Sequence, residues 1–325
     1  MSRRIPGITG LVCTADGLGE DPGVIYDDER QVCYVRPGTD VHADRGPSLP
    51  PADDGPELFA VTGHVPLPSP LTPEGLARVY LNLPVVYREP ATGTVRTLTA
   101  AARIYTNNNI PDRTPNMQEK DLLVSAVRAQ ANRRLPAARR LVEPPPTAHR
   151  TAIAWTFYGK GQPSHVALTL SYAITLGRCT PESVGSYCDD LAIAGIGLDC
   201  SGFVNAFFAL SRPNWRERSI DSFAAGGTVR TTSASIQPED VLIWQGSDAS
   251  ASNHIAIVSR RTGPNQFIVC ESTGSMGGPN ADGRAGGVHT STYTIPDPAP
   301  GGLVTITRGN GRTSTVKIFS VPATS

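Results

Sequence analysis

From Asp240 onward the chain is written in short apolar runs, and no other feature constrains its fold as much. The runs are Val241-Leu242-Ile243-Trp244 and then residues 255–259, 267–270, 303–307 and 316–321. Runs this short, rich in Val, Ile and aromatic residues and bounded by Gly, Pro and Asn, read as strands. The preceding stretch has helical spacing instead. Over 116–135, Leu122, Leu123, Ala126 and Val127 share a face, with Asp121 and Arg128 opposite. Over 164–176 the apolar positions are Val166, Leu168, Leu170 and Ile174, and 181–194 starts with a Thr180 cap, Pro181 and Glu182. A third helix carries Phe203, Phe207 and Leu210 on one face. Helices first and antiparallel strands afterwards predict an α+β fold.

A chain of 325 residues is long enough for two domains. Residues 1–115 are rich in Pro, Gly and Asp, with short β-like runs at 23–26, 32–35, 58–61 and 95–98. They read as a loop-rich β module of unknown role, with one helix over 71–81 capped by Thr72 and started by Pro73. Residues 116–147 are a helix and a Pro-rich linker ending in Glu143-Pro144-Pro145-Pro146-Thr147, and 148–325 form the second domain. The 32 glycines and 29 prolines promise long turns yet fall short of a disordered composition.

Formal net charge is zero, which gives no reason to expect a nucleic acid partner. Only Lys120, Lys160 and Lys317 among the basic residues are lysines, an excess of Arg that reads as coding bias. No stretch approaches 18 apolar residues, so no membrane span is expected. The first residues, Met1-Ser2-Arg3-Arg4-Ile5-Pro6-Gly7, lack the apolar run of a signal peptide. The expectation is synthesis in the cytoplasm, then export by a specialised route or action outside the cell. Cys13, Cys33, Cys179, Cys188, Cys200 and Cys270 include no CxxC pair, so no zinc site is expected, and the thiol chemistry read below requires no metal or organic cofactor. Cys13 with Cys33 and Cys179 with Cys188 either bridge in an oxidising compartment or stay reduced and buried.

The chemistry concentrates at Gly195-Ile196-Gly197-Leu198-Asp199-Cys200-Ser201-Gly202-Phe203-Val204. Gly-spaced turns lead into Cys200 at the start of an apolar helix, where free N–H groups and the helix dipole favour a thiolate. Such a Cys is ordinarily just buried; the residues that follow shift the balance. His254 opens one strand and Glu271 closes the next, and alternation with hairpin pairing through 260–265 sets the two opposite each other. Nucleophile, base and orienting carboxylate in that order is the triad logic of a cysteine hydrolase. Backbone N–H groups of Cys200 and Ser201 are placed to hold an oxyanion. Asp199 reads first as a helix cap, Asn253 as a pocket or turn residue, Cys270 as a core thiol, and His165 and His289 as incidental. Residues 272–289, rich in Gly, read as a flap beside Glu271.

The second half resembles the NlpC/P60 superfamily of papain-like cysteine peptidases and amidases, with their CHAP-type relatives. The matching pieces are Asp199-Cys200-Ser201-Gly202-Phe203-Val204, Pro238-Glu239-Asp240-Val241-Leu242-Ile243-Trp244, Asn253-His254-Ile255-Ala256-Ile257-Val258 and Val269-Cys270-Glu271-Ser272. The resemblance implies a papain-like domain with Cys200 as nucleophile, His254 as base and Glu271 as orienting residue. It implies cleavage of amide bonds in peptidoglycan stem peptides, as a bacterial thiol protease, a delivered toxin or effector, or a phage-like component. The implied partners are peptidoglycan or another peptide, with an immunity or delivery protein. Two departures stand out: Glu at a position more often His, Asn or Gln, and no clear Tyr-x-x-Gly-Gly motif, which leaves Tyr172 and Tyr187 as the loose candidates for a substrate-binding Tyr. The alternatives are a papain-like acyltransferase or amidase on a non-wall substrate, and an inert interaction module.

Overall fold

The computed structural model describes residues 65–92, 94–106, 115–134, 147–245, 252–274 and 286–322, together with three short strands near the start. Those strands, β1 (Arg3–Arg4), β2 (Val24–Asp27) and β3 (Val32–Val35), form an antiparallel sheet of order β1-β3-β2. The expected strand at 58–61 and Cys13, the other half of the expected pair with Cys33 of β3, lie outside the described residues.

Helix α1 (Pro73–Leu81) starts as its sequence dictates: the Gly75 N–H donates to the Thr72 hydroxyl and Pro occupies the first turn. A hairpin of β4 (Leu83–Arg88) and β5 (Val95–Ala100) follows, then β6 (Ile104–Tyr105) and α2 (Pro115–Arg134). Next come α3 (Thr147–Phe157), α4 (Pro163–Thr175), α5 (Val184–Asp189), β7 (Gly197–Leu198), α6 (Cys200–Ser211), α7 (Ile220–Gly226) and β8 (Thr228–Val229). The chain ends in β9 (Val241–Gln245), β10 (Ser252–Arg261), β11 (Gln266–Thr273), β12 (Gly287–Thr294), β13 (Leu303–Arg308) and β14 (Thr313–Ser320).

These last strands pair antiparallel in the order β13-β12-β11-β10-β9-β14, and β13 also pairs with β14, so the sheet closes into a six-stranded barrel with β8 added outside on β14. Closure leaves no unpaired edge within the ring. Alternation divides the side chains between two cores. Leu242, Ala256, Val258, Val269, Tyr293 and Ile318 fill the barrel. Ile243, Ile255, Ile257, Cys270 and Val288 face outward, and α6 packs on that outer face through Phe203 and Phe207. The structure is thus mixed helix and strand, with the strand-rich part last.

Packing does not break near residue 115. Leu76, Tyr80 and Val85 belong to the same core as Phe203 and Ile255, and the Tyr80 hydroxyl donates to the Gly161 carbonyl at 2.8 Å. Strand β6 pairs parallel with β7, Ile104 opposite Gly197.

Several elements differ from their expected bounds. The expected helix over 181–194 is only Val184–Asp189, because the Asp190 carboxylate accepts from the Ala192 N–H at 2.8 Å and turns the chain. Helix α3 starts at Thr147, directly after the prolines assigned to a linker, and α7 is a short helix capped by Ser219. The expected flap is strand at both ends: Ser272 and Thr273 close β11, while Val288 and His289 lie in β12. Cys179 and Cys188 are buried and free. Among the described residues no helix is long and apolar enough to cross a membrane.

Candidate active site

The turn that carries Cys200 is wedged against backbone. Asp199 caps α6 by accepting from the Gly202 N–H, and its own N–H donates to the Gly159 carbonyl at 3.0 Å. A Cβ on Gly202 would stand 2.0 Å from that same carbonyl oxygen, so only glycine fits. Gly159 itself has φ of +74°, in the left-handed region. The Ser272 hydroxyl, next to Glu271, donates to the Leu198 carbonyl at 2.6 Å and ties β11 to this turn. Cys200 is therefore the first residue of α6, at the positive end of the helix and 5% exposed. The N–H groups of Cys200 and Ser201 have no carbonyl four residues back within the helix to bond.

His254 and Glu271 meet. The His254 Nε2 lies 2.6 Å from Glu271 Oε2. Since Nε2 is used there, Nδ1 is the ring nitrogen left for Cys200. Burial works against a charge on His254, but hydrogen bonds to Cys200 and Glu271 overrule it and raise the ring to about 9. Glu271 is fully buried, which by itself favours the neutral acid. The hydrogen bonds and charges of His254 and His289 reverse that and hold the carboxyl well below its ordinary range. Trp244, opposite His254 in the ladder, meets the imidazole edge-on with ring centroids 4.6 Å apart.

The two residues are not directly opposite, as simple hairpin pairing implies. Ile257 pairs with Cys270 and Arg261 with Phe267, with an irregularity between Val258 and Arg260. That register carries Glu271 to a position beside Ala256, on the same face as His254 but two residues along, and the side chains close the diagonal.

His289 does not sit apart from this group. It is the direct cross-strand partner of Glu271 in β12, with Nε2 3.2 Å from Oε1 and Nδ1 3.1 Å from the Gly287 carbonyl. Its ring too is raised, against burial, by Glu271. Tyr293 also donates to Oε1, and Arg308 Nη1 lies 3.9 Å from it. Sequence reasoning missed all three, although His289 and Tyr293 share one face of a β-branched run, Val288-His289-Thr290-Ser291-Thr292-Tyr293.

A second buried carboxylate lies at the helix start. Asp199 Oδ2 is 2.8 Å from Lys160 Nζ, and the Ser201 hydroxyl lies 3.2 Å from Oδ1 and 2.5 Å from Lys160. Burial still raises Asp199, with Lys160, Gly202 and Ser201 working the other way. The Ser201 side chain is engaged in this cluster; its backbone N–H is the part placed beside the sulfur. Tyr187 donates to Glu119 at 2.9 Å, and Tyr172 Oη lies 2.5 Å from His149 Nδ1, so both hydroxyls are engaged in contacts other than this group. Asn253 lies in β10 at the irregularity between Ser252 and His254; its side chain is outside the described residues. Cys270 points to the outer core, and burial raises its thiol to about 12. His165 caps α4: the Gln162 N–H donates to its Nδ1 at 3.4 Å, and burial lowers the ring to about 4.

A sulfur at a helix start, an imidazole against it and a buried carboxylate behind the imidazole are the parts needed for nucleophilic acyl transfer. No known family model, no curated protein and no solved structure matches this chain.

Proposed function

We propose that the chain is a cysteine hydrolase that cleaves amide bonds through Cys200, His254 and Glu271. The observation that carries the reading is the 2.6 Å contact of His254 Nε2 with the fully buried Glu271, which leaves Nδ1 for a sulfur at the start of α6. The Cys200 thiolate attacks the amide carbonyl carbon, and the oxyanion forms against the N–H groups of Cys200 and Ser201. The C–N bond then breaks, the leaving amine takes its proton from the His254 imidazolium, and a thioester remains. Water, giving a proton back to His254, attacks the thioester carbonyl; the acid leaves and the thiolate is restored. Glu271 keeps the imidazole oriented and balances its charge throughout.

The substrate class rests on the NlpC/P60 resemblance of the four motifs and is a peptidoglycan stem peptide. The experiment is digestion of purified peptidoglycan by wild type and Cys200→Ala, with released fragments read by mass spectrometry. Fragments from wild type alone would support the reading and identify the bond. No fragments, with Cys200 still alkylating faster than Cys270, would move the substrate to a non-wall amide or an acyl acceptor. No fragments and an inert Cys200 would leave an interaction module.

A further inference from the structure

The hydrolase reading gives Glu271 one partner, His254, yet the carboxylate has four. Oε2 faces His254 on β10; Oε1 receives His289 and Tyr293 from β12 and stands near Arg308 of β13. His289 is distinguished from the other two by its own geometry. Nδ1 faces the Gly287 carbonyl and Nε2 faces a carboxylate oxygen, both of which only accept. A ring with acceptors at both nitrogens is satisfied fully when both carry protons, that is, as the cation. The ring is held there by strand pairing, since His289 is directly opposite Glu271 in the ladder.

We propose that His289 is a positioning residue for the thiol chemistry: as an imidazolium it fixes Oε1 of Glu271, presents Oε2 to His254, and sets the pH at which His254 gives up its proton. The inference rests on the reading of Cys200, His254 and Glu271 given above. The physical basis is competition for one negative charge. Each imidazolium is stabilised by Glu271 and destabilised by the other, so the His289 charge weakens the hold of Glu271 on the His254 proton. The groups facing this pair are Glu271 on β11, Tyr293 on β12 itself, Arg308 on β13, and beyond the carboxylate Cys200 on α6. Strand β6 brings the backbone of Arg103 against Gly287. Arg308 cannot replace His289, because a guanidinium keeps its charge throughout and cannot be titrated off the carboxylate.

The test is the rate of Cys200 alkylation by iodoacetamide in the full chain, from about pH 5 to about pH 11, read by mass spectrometry of the Cys200 peptide. In wild type an inflection from His254 is expected at about 9. His289→Gln keeps a donor toward Oε1 and removes the charge, so the inflection should move up by about one unit. Thermal unfolding is followed in parallel. A lowered Tm with an unmoved inflection would mean a structural role only and would overturn the inference. Should His289→Gln not fold, ring-proton NMR of wild type decides: His254 must show a second inflection where His289 titrates, and a single inflection would overturn the inference. A wild-type Cys200 that alkylates no faster than Cys270 would remove the hydrolase reading and this inference with it. A reactive Cys200 with an unmoved inflection would remove the inference alone.

Discussion

Asp199, next to Cys200 in the chain, and Glu271, behind His254, are two buried carboxylates whose environments drive them in opposite directions. Asp199 has a lysine at 2.8 Å and the Gly202 N–H, yet burial raises it. Glu271 is the more deeply buried and is nevertheless held well below its ordinary range. What differs is the number of cations that converge. Lys160 divides its charge among Asp199, the Ser201 hydroxyl and Glu217, 3.9 Å away, whereas Glu271 receives two imidazoles, a tyrosine and a nearby arginine. Desolvation is overcome by several aligned donors and not by one shared cation.

The largest test of that contrast removes the acids. Glu271→Ala strands His254, His289 and Arg308 around a buried hole and should cost about 3–5 kcal/mol in urea unfolding. The proposed amide hydrolysis should fall by roughly 10³-fold or more. Loss of under about 1 kcal/mol would mean that the cations do not depend on Glu271.

Next in size is the dependence of stability on pH. The His254 contribution is complete below its unfolded value of ~6.5 and is lost as pH rises through about 9. The Glu271 contribution is complete above ~4.5 and is lost as pH falls through its folded value. Asp199 has the opposite sign: its raised folded value makes acidification favourable there. Unfolding free energy measured across this range should fall between about pH 6.5 and 9 in wild type and fall less in Glu271→Gln, where only Cys200 still favours the charged ring. In Asp199→Asn the acid-side loss should become steeper.

Smaller effects belong to the helix start. Asp199→Ala removes the cap of α6 and should cost about 1 kcal/mol in the same assay, with hydrolysis reduced far less than in Glu271→Ala. Lys160→Met should cost less than about 1 kcal/mol near pH 5, because Asp199, already raised, takes up a proton when its partner goes. An effect of Lys160→Met as large as that of Glu271→Ala would erase the distinction between the two sites.

Much of this site is legible in the sequence because it rests on local rules. Asp-Cys-Ser-Gly before an apolar run encodes a capped helix start, and period-two alternation puts His254 and Glu271 on one face. What is not legible depends on partners. The irregularity between Val258 and Arg260 decides register, and a register is a property of two strands. Strand β12 is hidden by the glycines before it, so His289 falls in the expected flap and Tyr293 goes unassigned, although their alternation is present in the sequence. Proline-rich composition likewise concealed α3, since Pro at a helix entrance and Pro in a linker look alike until the following turn is seen. The core shared by α1 and α6 is invisible to composition, which reports loops and not contacts.

For an engineer, the contact of Gly202 with the Gly159 carbonyl divides the molecule into parts that can and cannot be rewritten. Two backbones touch there with no side chain between them, so the seat of the sulfur offers no position at which to add bulk, polarity or a new specificity. Any change of what the proposed thiol chemistry accepts must therefore begin on the barrel rim and the neighbouring loops, with the residues around Gly159 and Gly202 left as they are.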